Sequence, residues 1–322
     1  MLSQTTDLEV RVQTLRHEAN DVISVELTPY GTATLPAFTA GSHIDVHLPN
    51  GLVRSYSLTN PQGDTQKYVL GIHRDPNSRG GSKYIHDQLR VGKLLRISSP
   101  RNNFQLNETA DRSVFIAGGI GITPFCSMLD HLNSLRKEWR LYYCVRTREQ
   151  AAFLNRLEQL AGVNSAELIV NFDQEPGGRM LDIASILALE PMDTHLYCCG
   201  PLGMLNAFKD ASRARAGECV HIEYFSSPNQ PAVQGGFRVV LARSQKTVFV
   251  PEGNTILEVL LAEGFNVQYS CQQGICGACE TGVVSGTPDH RDMILSEEQQ
   301  ASNKVMMICC SGCKGDELVL DY

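Results

Sequence analysis

No apolar run in this chain approaches the roughly 18–20 residues that a membrane-spanning helix needs, so no membrane protein is expected. Its opening, MLSQTTDLEV, has no basic stretch followed by an apolar one. A secretory leader is therefore not expected, and residence in the cytoplasm is. Positive charge is not in excess: 28 Lys and Arg stand against 35 Asp and Glu, a formal net charge of −7. That balance argues against a nucleic-acid surface, which needs clustered cations for the phosphates. It suits a protein partner with a basic docking face. No internal repeat and no low-complexity tract occurs.

Cysteine, by contrast, is abundant. The 322 residues include 11 cysteines, with 42% hydrophobic and 20% charged residues overall. Such usage is globular, and the length allows two or three domains. In a reducing compartment many thiols point to metal or redox chemistry rather than to disulfides. Six of them lie between 271 and 313: Cys271, Cys276, Cys279, Cys309, Cys310 and Cys313.

Periodicity divides what precedes them. In residues 8–107 the stretches LEVRVQTL, DVISVELTP, SHIDVHLP, VRSYSLTN and KYVLGIH alternate or cluster apolar residues between turns, which predicts a small antiparallel barrel. A helix is predicted in SKYIHDQL, residues 82–89. From about residue 111 strand-like and helix-like segments alternate: SVFIAGG, PFCSMLDHLNSL, LYYCVRT, AAFLNRLEQLA, ELIVNFD, MLDIASILAL, HLYCCG and PLGMLNAFKDAS. That alternation predicts a parallel sheet with covering helices. SSPNQPAVQGG, residues 226–236, has no periodicity and reads as a linker; hairpin, turn and helix follow it.

Three readings compete for SCQQGICGACETG, residues 270–282. A disulfide staple conflicts with the compartment. Zinc could use the two C-x-x-C pairs, Cys276/Cys279 and Cys310/Cys313, but leaves Cys271 without a role. The third reading uses all three loop thiols. C-x4-C-x2-C with a distant fourth cysteine is the plant-type [2Fe–2S] spacing, and Cys309 lies after twenty-nine intervening residues. Gly274, Gly277 and Gly282 let the loop wrap a cluster and turn backbone N–H groups toward sulfur, and small Ala278 keeps the wrap tight. Residues 237–322 resemble the plant-type ferredoxin module in this loop, in the preceding TILEVLLAEG and in the Met306-x-x-Cys309 spacing. That resemblance implies Cys271, Cys276, Cys279 and Cys309 as metal ligands. The family has a non-cysteine directly after the fourth ligand, so Cys310 and Cys313 are departures with no assigned role.

Two further pairs of motifs stand upstream. Arg54-Ser55-Tyr56-Ser57 lies on a predicted strand, with Arg54 and Tyr56 on one face and Ser57 on the other. Arg79-Gly80-Gly81-Ser82 precedes a helix, where two glycines, a fixed cation and a Ser82 cap make a phosphate cradle. Ala117-Gly118-Gly119-Ile120-Gly121-Ile122-Thr123-Pro124 ends a strand and opens a helix, and Tyr197-Cys198-Cys199-Gly200-Pro201 ends a later strand. Both fall at the carboxyl ends of parallel strands, where open sheets bind ligands, although the G-x-G-x-x-G fingerprint is absent.

Together these motifs resemble the phthalate dioxygenase reductase family, part of the ferredoxin–NADP reductase superfamily, over nearly all of residues 8–322. The resemblance implies a multidomain chain. An antiparallel β-barrel flavin domain occupies 1–107 and an α/β parallel-sheet nicotinamide domain 108–227. A linker spans 228–236, and an α+β, β-grasp-like [2Fe–2S] ferredoxin domain spans 237–322. It implies FMN, held by Arg54, Tyr56 and Ser57, by the backbone of Ile72, His73 and Arg74, and at its single phosphate by Arg79, Gly80, Gly81 and Ser82. It implies that Gly119, Gly121 and Thr123 line NADH, with Cys199, Gly200, Pro201 and Phe225 around the nicotinamide. Ser57, Cys199 and Phe225 are the residues implied at the hydride-transfer centre. NADH against NADPH stays open on the residues, since Arg146 and Arg148 could meet a 2′-phosphate and Asp173 would repel one; the family favours NADH.

The function so implied is an NADH-dependent oxidoreductase passing single electrons to a separate terminal oxygenase of the Rieske type, with a monomer as the expected state. No stretch resembles a Rieske C-x-H pair or a 2-His-1-carboxylate site, so oxygen chemistry is expected on another chain. Two alternatives remain: the reductase of a diiron hydroxylase, or a zinc-stabilised binding module that is no enzyme.

Overall fold

Alternation along LEVRVQTLRHEA sends Val10 and Val12 into a core and Glu9 and Arg11 to solvent, which makes the first long strand. The computed structural model describes residues 7–162 and 166–322. The chain falls into two compact units, one ending at Glu223 and the other running Tyr224–Tyr322.

The first unit opens with β1 (Leu8–Ala19), β2 (Val22–Pro29), β3 (His43–His47), β4 (Val53–Ser57), β5 (Tyr68–His73), α1 (Gly81–Gln88) and β6 (Leu94–Ile97). These strands form one antiparallel sheet in the order β4-β3-β6-β1-β2-β5. It curls until its edges meet at the Leu58–Leu70 bridge. Inside lie Val10, Val12, Ile44, Val46, Leu58, Tyr68, Leu70, Ile72 and Ile97. Strand β6 has no counterpart among the segments read from the sequence. Its four residues alternate in burial, but Leu94 is apolar and exposed, which hides the pattern in the sequence; the strand bridges β3 and β1.

A parallel sheet follows, built from β7 (Arg112–Gly118), α2 (Thr123–Ser134), β8 (Glu138–Val145), α3 (Leu154–Ala161), β9 (Glu167–Phe172), α4 (Ile183–Leu189), β10 (His195–Cys199), α5 (Leu202–Ala211) and β11 (Val220–Glu223). The strand order is β11-β10-β7-β8-β9, all parallel. Helices cover it, so central β7 is buried from Ser113 to Gly118 and reads as a continuous apolar run. Phe115, Phe125, Trp139, Tyr143 and Tyr197 fill the core.

In the second unit β12 (Phe237–Leu241) and β13 (Lys246–Val250) form a hairpin, and α6 (Ile256–Ala262) follows with a Thr255/Glu258 capping box. Then come the cysteine loop, β14 (Glu280–Ser285), β15 (Pro288–Asp289), α7 (Glu297–Ser302), β16 (Val305–Met307), β17 (Gly312–Cys313) and β18 (Glu317–Leu320). The last strand inserts parallel to β12, giving the order β13-β12-β18-β14-β16.

The segment read as a linker, 228–236, has no helix or strand but runs against this second unit. Ala232 N–H donates to the Cys310 carbonyl at 2.7 Å, Gly253 N–H to the Val233 carbonyl at 2.8 Å, and Asn229 Nδ2 to the Arg291 carbonyl at 3.0 Å. Proline and glycine remove regular structure here without freeing the backbone. Among the described residues no helix is long and apolar enough to cross a membrane.

Candidate functional site

The turn after β7 and the end of β10 meet. A Cβ on Gly121 would collide with the Cys199 carbonyl, and one on Gly118 would lie 2.5 Å from Pro201 Cδ. Only glycine lets the two backbones approach so closely. Gly119 takes φ +54 and faces open space. Thr123 is buried at the start of α2, its hydroxyl donating to the Ile120 carbonyl at 3.0 Å. Cys199 is fully buried, and its thiol points at Glu223 Oε2, 3.9 Å away. Burial first, then the carboxylate, pushes that thiol well above its ordinary range. A nucleophilic role needs the opposite shift.

The barrel docks onto this turn. A Cβ on Gly71 of β5 would lie 2.6 Å from Thr123 Cγ2 and 2.8 Å from the Phe153 ring. On the neighbouring β4, Arg54 pairs with Val46, Tyr56 with Ile44, and Ser57 with His43 across to β3. Burial raises the Tyr56 phenol, with Arg54 opposing the rise. Ser57 is buried; Ile72 is buried with its carbonyl against His86 Nε2 at 3.0 Å. His73 and Arg74 are exposed, and Arg74 pairs with Asp87 at 2.9 Å.

Arg54 also reaches the start of α1: a Cβ on Gly81 would lie 2.7 Å from both its Cγ and Nε. The two motifs 25 positions apart, at 54 and 79, thus form one cradle. Ser82 is not the cap. The cap is Gly80, at φ 97 with no side-chain bond, because the helix starts one residue earlier than predicted. Ser82 Oγ donates to Ser78 Oγ at 3.0 Å instead. Ser78 Oγ accepts from the Lys83 N–H at 3.4 Å, and a helix start beside a guanidinium fits a phosphate. Arg79 is exposed next to it.

In the second unit four thiols converge. Cys271 hydrogen-bonds Cys276 and Cys309, and Cys279 hydrogen-bonds Cys309. Cys276 holds the Cys271 thiol down, while Cys309 and burial push it up, for a net rise. Cys271 and burial raise Cys276; Cys309 and burial raise Cys279. Backbone groups of Ile275, Ala278 and Cys309 bond the sulfurs of Cys271, Cys276 and Cys279, and Gln273 N–H donates to Cys271 Sγ at 3.3 Å. Crowded thiols with N–H donors suit an ion that strips their protons. Among the described residues no three ligating side chains close on a single ion. The links run as a chain, from Cys276 to Cys271 to Cys309 to Cys279. Cys310 and Cys313 stand apart: Cys310 Sγ faces the Met307 carbonyl at 3.7 Å and Cys313 Sγ the Glu317 carbonyl at 3.6 Å. Both sulfurs thus face carbonyl oxygens, where the zinc reading would have them join Cys276 and Cys279.

Two family models match the chain: a 2Fe-2S iron-sulfur cluster binding domain over residues 239–314 and an oxidoreductase NAD-binding domain over 115–210. Along its whole length the chain is 47% identical to a tetrachlorobenzoquinone reductase of Sphingobium chlorophenolicum, covering 100% of both. It is 42% identical to a vanillate O-demethylase oxidoreductase of Pseudomonas sp. (strain HR199 / DSM 7063), covering 98% of this chain and 99% of that one. A solved phthalate dioxygenase reductase superposes with TM-score 0.74 at 35% identity over 98% of each chain. The chain belongs to the phthalate dioxygenase reductase family. It is accordingly an oxidoreductase with an NAD-binding and a [2Fe–2S] domain, and the non-enzymatic binding-module alternative falls.

Other residues of this family member escaped the sequence reading. Glu223 is the strand partner of Cys199, and burial pushes its carboxyl up to about 8. Its only sequence signal was its place two residues before Phe225. Phe225 is the second residue of the second unit and is exposed at 40%. The chain does contain one C-x-H tripeptide, Cys219–His221. It is no metal pair: the His221 ring stacks on Tyr197 at 4.3 Å and its Nε2 meets His195 Nδ1 at 3.0 Å.

Proposed function

We propose that this chain is the reductase component of an oxygenase system, taking a hydride from NADH and delivering electrons singly to a Rieske-type terminal oxygenase. The observation that carries the proposal is that one chain joins the four-thiol group to a barrel strand seated on the glycine turn of the parallel sheet. Bound FMN supplies the conversion of an electron pair into single electrons, and the [2Fe–2S] cluster their onward relay.

The residues bind and orient. Arg54, Gly80, Gly81 and the α1 N-terminus take the phosphate of FMN, with Arg79 and Ser82 beside them. Tyr56 packs on the ring, the backbone of Ile72, His73 and Arg74 lines it, and Ser57 hydrogen-bonds it. Gly119, Gly121 and Thr123 line the pyridine nucleotide, and Cys199, Gly200 and Pro201 shape the nicotinamide slot. Cys271, Cys276, Cys279 and Cys309 ligate the irons. These roles divide the chain into a flavin domain over 1–107, a nicotinamide domain over 108–227 and a cluster domain over 237–322. NADH rather than NADPH is favoured by Asp173, whose Oδ1 is buried without a partner among the described residues. Arg148, the alternative phosphate partner, lies over the Phe172 ring at 4.9 Å. The working form is a monomer in the cytoplasm.

A second reading comes from the 47% identical relative named for a quinone: the electrons go to a small quinone instead of a protein. The test uses purified holoprotein with NADH and either cytochrome c or a chlorinated quinone. Single-electron reduction of cytochrome c that disappears in a cluster-less variant is expected. Quinone reduction that survives loss of the cluster, with no cytochrome c reduction in the intact protein, would overturn the proposal in favour of the quinone.

A further inference from the structure

Cys310 follows a cluster cysteine directly yet takes no part in the four-thiol group. It is buried at 2% exposure. Its thiol has two weak polar neighbours, the Met307 carbonyl at 3.7 Å and the Ser311 hydroxyl at 3.8 Å. The same sulfur occupies the place where a side chain on Gly274 would have to go. Gly274, at φ +68, lies inside the wrap between Cys271 and Cys276.

The other flank of Gly274 is closed as well. A Cβ there would lie 2.9 Å from Asp292 Cα, and the Gly274 carbonyl accepts from Met293 N–H at 2.9 Å. Asp292 is itself fixed, its Oδ2 accepting from the N–H groups of Ile294 and Leu295 at 3.3 and 2.9 Å. Cys310 further accepts, through its carbonyl, the Ala232 N–H of the segment that leads into the unit. Two residues on, Gly312 packs against the Ala232 methyl, which a Cβ would approach to 2.8 Å.

We propose that Cys310 is a positioning residue for the iron–sulfur cluster: its sulfur presses the Gly274 turn of the ligand loop into register with Cys309, while its carbonyl pins the incoming 229–236 strap. The second cysteine of Cys309-Cys310 is thus a spacer of fixed size. Alanine is too short to touch the Gly274 backbone. Leucine is too large, because glycine at 274 and the Asp292 backbone leave it no room. Serine keeps the size and finds ready partners in the Met307 carbonyl and Ser311.

The inference rests on the cluster reading, and the experiment separates the two. Full-length holoprotein and the variants Cys310→Ala, Cys310→Ser, Cys310→Leu and Cys313→Ala are compared by iron release to a chelator and by visible circular dichroism of the cluster. Flavin content reports on the first unit. Cys310→Ala is expected to release iron about tenfold faster, as a small cavity against the loop implies, with Cys310→Ser and Cys313→Ala within about twofold of the parent. Cys310→Leu is expected to change the dichroism or the iron content while flavin stays bound. Parent-like iron release and dichroism in both Cys310→Ala and Cys310→Leu would overturn the assignment. A parent protein without iron would instead overturn the cluster reading itself.

Discussion

The Cys199 thiol lies 3.9 Å from the Glu223 carboxylate, at the carboxyl ends of two adjacent parallel strands. Both groups are held neutral by burial: the thiol far above its ordinary range and the carboxyl up to about 8. A protonated carboxyl at this edge of the sheet can donate a hydrogen bond. Glu223→Gln keeps the donor and removes the titration. The folded state raises this pKa above the unfolded 4.5, so its stabilising contribution is complete below 4.5 and is lost as pH rises through 8. Melting temperatures recorded from pH 5 to 9 should fall more steeply in the parent than in Glu223→Gln, by about 2–4 °C for each kcal/mol involved. Parallel curves would sink this reading of Glu223.

Acid should act through two histidines in the opposite sense. Burial, with Arg101 assisting, lowers His43 to about 4; burial, with His195 assisting, lowers His221 to about 4. Asp45 partly opposes the shift at His43. Both are neutral in the fold, so their contribution is present above the ordinary 6.5 and is lost as pH falls through 4. His221→Asn should flatten the loss of stability between pH 6.5 and 4 relative to the parent. Denaturant titrations at three pH values in that window check it, and an unchanged slope counts against it.

The cluster ligands give a sharper contrast. Cys309 bonds Cys271 and Cys279, whereas Cys313 faces the Glu317 carbonyl. Cys309→Ala should abolish the visible absorption of the cluster, and Cys313→Ala should spare it. The reverse pattern would falsify the ligand set.

Gly81→Ala tests the phosphate cradle. The new methyl would stand 2.7 Å from Arg54 Cγ and Nε, so the guanidinium must move off the start of α1. Affinity for FMN should drop by about tenfold, the worth of one charge-assisted hydrogen bond, while riboflavin, which has no phosphate, binds as before. Equal losses for both ligands would mean that the contact serves the barrel and not the phosphate.

Much of this was legible one segment at a time. The spacing of Cys271, Cys276 and Cys279, the glycines beside them and the turn at Gly118–Gly121 are local patterns, and local sterics decide what such patterns can do. Helix α1 was legible too, but its first residue was not. Ser82 has the chemistry of a cap, while Gly80 has the backbone freedom for one, and the left-handed turn prevailed.

What the amino-acid order determined by itself was therefore the set of short-range devices: alternating strands, a glycine turn at a strand end, a thiol loop of plant-type spacing. Tertiary structure alone decided which devices touch. Glu223 stands beside Cys199 because β11 pairs in parallel with β10. Arg54 covers Gly81 because the barrel curls, and Cys309 rather than Cys310 joins the thiols because its sulfur meets Cys271 and Cys279 while that of Cys310 lies against Gly274. Parallel pairing and barrel closure join residues far apart in sequence, and no periodicity within a single segment encodes the partner that another segment brings to it.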